Sequence, residues 1–303
     1  MDRDKDKGGR VGFLLKRDQP EAIGLCQVLV QAVRGRGVRE AVLRDRELPP
    51  EFDTVTEDEL AHGLRLLVVL GGDGTMLYAA GLLGEARVPM LGVNLGHLGF
   101  LTCCSPAEAE AMLHRALDGQ LATEERQRLR CRVLRAPEPG SEPPGAASLQ
   151  LVVERIALND VVLSQPAQAR LFELDVLVDG ESVTTYRADG LIVSTPTGST
   201  AYNLAAGGPI LVPSMDALVL SPICPHTLTV RPLVTRLSSC IEVRPGRIAD
   251  EILLTVDGQW SHRLGPRDVV QVSCADAPVA VLRPRDRSFY DVLRSKLHWG
   301  VRT

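Results

Sequence analysis

The run LRLLVVL at 64–70, followed at once by GGDG, limits the fold of this chain more than any other stretch. An almost unbroken apolar run belongs to a strand covered on both faces, not to one with a wet side. The glycines then turn the chain before TMLYAAGLLG (75–84), which suits a helix. Neighbouring segments alternate in the same way. RVGFLLKR (10–17) reads as a strand, QPEAIGLCQVLVQAVRGRG (19–37) as an amphipathic helix closing in glycines, and VPMLGVN (88–94) as a further strand. SPAEAEAMLHRALDG (105–119) carries a full start signal: Ser105 as cap, Pro106 in the first turn, Glu108 completing a capping box, and Gly119 at the C-cap. Such alternation predicts a Rossmann-like α/β domain, a parallel sheet with helices on both sides.

The pattern changes after about residue 122. ERQRLRCRVLR, LQLVVERIALNDVVL, FELDVLVDGESVTTYRADGLIVST and DEILLTVDGQWSHRL are short strands with polar turns, and Asp179-Gly180 and Asp257-Gly258 are hairpin dipeptides. The expectation is α/β plus β: residues 1–122 as the α/β domain with the GGDG turn, and 123–284 as a mainly antiparallel β-sandwich domain. The helical segment RSFYDVLRSKLHW (287–299) opens a tail, 285–303, expected to fold back onto the first domain. APEPGSEPPGAA (136–147) reads as a surface loop between two strands.

A chain of 303 residues accommodates two domains, and 45% hydrophobic residues supply their cores. A net charge of −4 offers no general attraction to nucleic acid or an anionic membrane, so any anionic ligand needs a local site. No stretch reaches the roughly 18 apolar residues of a membrane span, and MDRDKDKGGR is too polar for a secretory signal. Seven cysteines without a Cys-x-x-Cys pair argue against zinc or a disulfide framework and for a reducing cytoplasm.

Four stretches carry candidate chemistry. Around Gly71, Gly72 and Gly74, backbone N–H groups are able to converge on an anion, and a helix starting near Thr75 adds its positive end. Neither G-x-G-x-x-G nor G-x-x-x-x-G-K-[ST] is present. Asp73 within that turn has three candidate roles: accepting a proton from an attacking hydroxyl, holding Mg²⁺, or capping the helix. NLGHLGFLT (94–102) forms a second glycine loop, with His97 either a ligand contact or a packed or solvent-facing loop residue. In ALND (157–160), Asn159 and Asp160 suit paired ribose hydroxyls, or make an ordinary turn. YRADGLIVSTPTGSTAYNLAAGGPIL (186–211) is the densest stretch: Ser194, Thr195, Thr197, Ser199, Thr200, Tyr202 and Asn203 are read as an exposed platform for a nucleoside, with Arg187 and Asp189 just upstream.

GGDGTML, NLGHLGFL, LND, DGLIVSTPTGSTAYNLAAGGPIL and DGQ (257–259) occur in the order seen in NAD kinases, which the chain resembles over most of residues 65–260. GGDG alone is shared with diacylglycerol, sphingosine and phosphofructo-kinases; the TPTGSTAY stretch is far more diagnostic. The resemblance implies phosphoryl transfer from ATP, with a divalent metal ion such as Mg²⁺, to the 2′-hydroxyl of the adenosine ribose of NAD, giving NADP. Inorganic polyphosphate is the alternative donor. It implies an α/β domain followed by a β-sandwich-like domain, with NAD between them. Asp73 matches the acid that activates the hydroxyl, and Gly71, Gly72, Gly74 and Thr75 the phosphate-donor loop. Asn159 and Asp160 match the pair holding adenosine, although many members carry glutamate at the position of Asp160. Gly74, Arg170, Arg187, Asp189, Thr200, Ala201, Tyr202, Asn203, Leu204, Ala205 and Gln259 align with further NAD contacts. Asp189 and its neighbours would reach an adjoining subunit's site, implying a homodimer or homotetramer. The rivals are a lipid or sugar kinase sharing the glycine turn, and a catalytically silent NADP(H) sensor. The hydroxyl-rich platform speaks against the first, and the presence of Asp73 against the second.

Overall fold

The computed structural model describes residues 9–96, 99–137, 149–165, 173–246, 252–265 and 267–299. His97, Arg170 and residues 138–147 of the predicted surface loop lie outside the described residues. The chain divides into two compact units, one formed by 1–126 with 277–303 and the other by 127–276.

In the first unit a seven-stranded sheet runs in the order Thr54–Val55, Glu40–Leu43, Arg10–Leu15, Leu64–Gly71, Met90–Asn94, Val279–Arg283, Ala122–Arg126. All neighbours are parallel except the last pair. The sheet reverses its order of addition beside Arg10–Leu15: the chain first builds outward through Glu40–Leu43, then returns to the other side through Leu64–Gly71. This is a topological switch point, where the carboxyl ends of the strands leave a crevice.

The apolar runs are buried on both faces, as their composition requires. Met90–Asn94 is buried at every position, and Leu64–Gly71 from Leu66 onward. On one face Val11, Phe13, Leu15, Val68 and Leu70 meet Cys26, Leu29 and Val33 of the helix Pro20–Gly35, together with Leu113 of the helix Ala109–Leu117. On the other face the helix Asp73–Leu83 approaches so closely that a Cβ on Gly92 would stand 2.8 Å from the Met76 sulfur. Ser105 and Glu108 form the expected capping box, Ser105 N donating to Glu108 Oε2 at 2.9 Å. Gly119 takes φ +69°, the left-handed conformation that a C-terminal glycine supplies. The helix Phe289–Leu297 starts on its own capping box between Ser288 and Asp291. Phe289 packs against Phe100 with tilted rings, centroids 6.3 Å apart, and Arg287 donates to the Cys103 carbonyl at 2.8 Å.

The second unit consists of two six-stranded antiparallel sheets. One runs Glu181–Arg187, Glu173–Val178, Ile241–Pro245, Asp268–Cys274, Leu129–Arg135, Gln150–Ala157; the other runs Leu233–Arg236, Ala217–Ile223, Gly190–Ser194, Asp160–Ser164, Ile252–Val256, Trp260–Leu264. Alternate residues of both, among them Leu129, Cys131, Val133, Val270 and Val272 from the first and Val161, Leu163, Leu191 and Val193 from the second, form one core. Asp179 and Asp257 adopt left-handed φ at the two hairpins, each followed by a left-handed glycine. All seven cysteines are unpaired, and among the described residues no helix is long and apolar enough to cross a membrane.

Candidate active site

The GGDG turn closes the strand Leu64–Gly71 and opens the helix Asp73–Leu83. Gly71 needs to be glycine because a Cβ there would stand 2.3 Å from Thr75 Oγ1. Gly72 is the N-cap residue and offers no side-chain cap. Asp73 therefore does not cap its own helix. Its two carboxylate oxygens instead accept from the next glycine loop: Oδ2 from Phe100 N and Oδ1 from Leu101 N, both at 2.9 Å. That loop is braced in turn by Thr102, buried, whose Oγ1 accepts from Gly99 N at 3.0 Å. Gly99 is required by the acid itself, since a Cβ there would stand 2.0 Å from Asp73 Oδ1. Asp73 is half-buried, fixed in direction, and retains a further lone pair on each oxygen. Of the three roles open to it, helix capping is the one this geometry removes.

The second unit fixes its acid differently. Asp257, in the second hairpin, accepts from three consecutive amides: Leu158 N at 2.7 Å, Asn159 N at 2.7 Å and Asp160 N at 3.0 Å. The Asn159 carbonyl accepts from Thr195 N at 2.9 Å, and Gly198 packs so closely on it that a Cβ would meet that oxygen at 2.2 Å. The backbone of the Asn159–Asp160 turn is thus held from both sides. Among the described residues no group hydrogen-bonds the Asn159 side-chain amide or the Asp160 carboxylate, so both side chains are available to a ligand. Burial, and then the neighbouring Asp257 carboxyl, pushes Asp160 up to about 7. Burial also raises Asp257, while its three amide donors oppose the rise. The proton of this pair resides on Asp160, because Asp257 has three N–H groups stabilising its charge and Asp160 has none.

Asp257 was not among the residues singled out from the sequence. The signals present there were a hairpin dipeptide, Asp-Gly, which a turn explains by itself, and the short motif DGQ (257–259), of which only Gln259 was taken as a site residue.

The hydroxyl-rich stretch also departs from the sequence reading. Ser194, Thr195, Thr197, Ser199 and Asn203 are buried, not exposed. Thr195 Oγ1 donates to the Leu158 carbonyl at 2.7 Å, and Ser199 Oγ donates to Pro196 O at 2.6 Å while accepting from Leu211 N. The Asn203 amide donates to Ser199 O and Pro209 O, and accepts from Ser221 Oγ at 2.6 Å. These groups hold the loop together. A turn that crosses a buried sheet face has backbone donors and acceptors to satisfy, and short hydroxyl side chains satisfy them locally. What remains at the surface of this segment is the exposed Tyr202 and Ala205, with Thr200, Ala201 and Leu204 half-buried. Gln259 is exposed in the Asp257 hairpin.

Arg187 and Asp189 stand apart from this cluster. They precede the strand Gly190–Ser194, whereas the 195–205 segment follows it, and Asp160 pairs with Ser194 at the far end. Five residue steps along the strand separate Asp189 from Ser194, roughly 16 Å. Both are exposed; Arg187 Nε binds Glu173 at 2.8 Å, and Asp189 lies 3.6 Å from His226 Nε2.

A doubly wound parallel unit whose switch point bears an anchored carboxylate in a glycine turn, accompanied by an antiparallel β-sandwich with an ordered polar turn, defines a class of two-domain nucleotide-handling proteins. Within that class the chain belongs to the NAD kinase family. Residues 11–121 match the ATP-NAD kinase N-terminal domain and residues 158–283 the ATP-NAD kinase C-terminal domain. The chain is 38% identical to the NAD kinase of Geotalea daltonii, over 97% of this chain and 99% of that protein. It is 40% identical to that of Thiobacillus denitrificans, over 96% and 97%. A yeast NADH kinase complexed with NADH superposes with a TM-score of 0.83 at 27% identity, covering 98% of this chain and 89% of that one. An Archaeoglobus fulgidus NAD kinase in complex with ATP shares the fold, with a TM-score of 0.74 over 95% of this chain and 98% of that one.

Proposed function

We infer that this chain is an NAD kinase that moves a phosphoryl group from ATP to the 2′-hydroxyl of the adenosine ribose of NAD. The observation that carries the reading is Asp73: a carboxylate clamped by two backbone amides inside a glycine turn that opens a helix with no side-chain cap. Phosphoryl transfer asks little covalent chemistry of a protein; it asks for positioning and charge stabilisation. Gly71, Gly72, Gly74 and Thr75 hold the donor phosphates at the positive end of the helix Asp73–Leu83. Asp73 positions the acceptor hydroxyl and takes its proton. The β-sandwich unit binds the nucleotide: Asn159 and Asp160 engage the adenosine, with Thr200, Ala201, Tyr202, Leu204, Ala205 and Gln259 around it. Asn203 contributes by shaping the loop. Arg170 and His97, outside the described residues, keep the NAD-contact and loop roles expected of them.

Among the described residues no group of three or more acidic, histidine or cysteine side chains forms a metal site. Mg²⁺ is usually bound through one or two carboxylates with substrate phosphates completing its shell, and Asp73, with a lone pair left on each oxygen, is such a carboxylate. Holding the ion is the alternative to proton acceptance for Asp73; when bound, the ion would neutralise the donor phosphates beside the acid.

Arg187 and Asp189, exposed and about a strand's length from Asn159, support a site completed by an adjoining subunit in a homodimer or homotetramer. A cytoplasmic location is supported by the seven cysteines, all unpaired, which suit a reducing compartment. The test is direct: purified protein with NAD, Mg²⁺ and either ATP or inorganic polyphosphate, reading NADP formed. Phosphorylation of diacylglycerol or fructose 6-phosphate with NAD untouched would overturn the reading, as would NADP(H) binding without turnover.

A further inference from the structure

The switch point has two sides, and only one has been assigned. The glycine turn ends the strand Leu64–Gly71; its neighbour across the switch, Arg10–Leu15, is followed by Lys16 and Arg17. The two chain ends run side by side, Lys16 N donating to the Leu70 carbonyl at 2.7 Å, one residue before the glycines. Beyond Arg17 the backbone turns through Asp18 at φ +59° into the helix Pro20–Gly35, whose N-cap residue Gln19 makes no side-chain cap. Two helix N-termini without side-chain caps therefore open at this crevice, one from each side.

Arg17 lies beside the helix that opens there. Its guanidinium carbon lies 5.9 Å from the centre of the Tyr78 ring, on the helix that begins at Asp73. Its Nε donates to Asp45 Oδ2 at 3.3 Å. The carboxylates around it are already engaged: Asp45, nearly buried, also binds Arg46 at 3.0 Å, and Glu57 accepts from the Tyr78 hydroxyl. Yet the Arg17 side chain is 64% exposed, and among the described residues its two terminal amino groups have no acceptor. An arginine fixed at Nε and open at both amino groups presents the paired donors that fit phosphate oxygens.

We propose that Arg17 is a donor-binding residue, which holds the phosphate chain of the nucleoside triphosphate across the switch point from the glycine turn. The proposal rests on the phosphoryl-transfer reading above and adds a second anchor to it. Asp45 at Nε and the Tyr78 ring bias the exposed guanidinium toward the helix that opens at the glycine turn.

The experiment compares the parent with Arg17→Ala and Arg17→Lys, measuring steady-state kinetics with each substrate varied, ATP affinity by calorimetry without NAD, and thermal midpoint. The expected result is an ATP KM and Kd weakened roughly tenfold or more in Arg17→Ala, an NAD KM within twofold, partial recovery in Arg17→Lys, and a weaker ATP affinity of the parent at high salt. An ATP KM and Kd within threefold of the parent would overturn the proposal. So would a fall in thermal midpoint with both KM values raised alike, the signature of an arginine that only supports Asp45. A parent that binds ATP through Arg17 but makes no NADP would overturn the function reading and leave this one standing. A parent that does not bind ATP overturns this proposal, and ends the function reading as well if polyphosphate yields no NADP.

Discussion

Both units fix an acid with backbone amides, but they do so in opposite senses. In the α/β unit the acid expected to act, Asp73, is itself the group being held, by Phe100 and Leu101. In the β unit a second acid, Asp257, does the holding, and the turn it grips keeps the Asn159 and Asp160 side chains free. The first arrangement suits a group whose position at a reacting atom must not vary. The second suits a ligand contact, where the backbone is rigid and the side chains adapt. Asp73 is half-exposed and next to glycines; Asp160 is buried beside another carboxyl and takes up a proton near neutrality.

Replacing Asp73 should break the comparison most severely. Asp73→Asn is expected to lower kcat by about 10²–10⁴, with NAD affinity little changed in calorimetry. Asparagine also accepts from only one of the two amides and sets its own N–H₂ against the other. A loss of roughly 1–3 kcal/mol in stability should therefore accompany the kinetic defect. Turnover within tenfold of the parent would end the case for Asp73 as the base.

Asp257→Ala comes next, and its signature should be the reverse. Three amides lose their acceptor, so denaturant unfolding should show about 2–4 kcal/mol less stability. NAD KM should rise while kcat at saturating NAD stays near the parent value. A kcat collapse without a KM change would show that the two acids do not divide the work as described.

Asp160→Asn sharpens the comparison through pH. The folded protein holds Asp160 up to about 7 against an ordinary 3.8. The folded state thus binds a proton that the unfolded chain has released, and its advantage is lost as pH rises through about 7. Asparagine needs no proton. The variant should equal the parent near pH 4 and exceed it by on the order of 1–3 kcal/mol at pH 8. A stability difference that is flat with pH would contradict the assignment.

The smallest effect concerns the buried hydroxyls. Ser199→Ala should cost about 1 kcal/mol of stability and leave both KM values within twofold, since its oxygen serves Pro196 and Leu211. Tyr202→Ala should do the opposite, raising NAD KM without moving the melting temperature. A Ser199→Ala variant with normal stability and a raised NAD KM would restore the hydroxyl platform read from the sequence.

Much was legible in the residues alone, wherever the cause is local. Apolar runs without alternation read as doubly covered strands, the Ser105–Glu108 box and Gly119 bounded a helix, and Asp-Gly pairs marked hairpins; each depends on groups a few residues apart. The glycine turn with its acid was visible for the same reason. The partners of that acid were not. Phe100 lies 27 residues from Asp73, and the amides that Asp257 grips lie 97 to 99 residues before it. Hydrogen bonds at that range exist only once strands have paired in register, and no periodicity encodes which strands pair. The same holds for Val279–Arg283, which joins the parallel sheet between Met90–Asn94 and Ala122–Arg126 after the chain has built the whole β unit. Whether a serine in a rich turn faces a ligand or its own backbone is likewise decided by what covers it. The order of residues by itself determined that this chain carries a buried strand leading into a glycine turn that bears an acid; tertiary structure decided which carboxylate is held, which does the holding, and which hydroxyls are left at the surface.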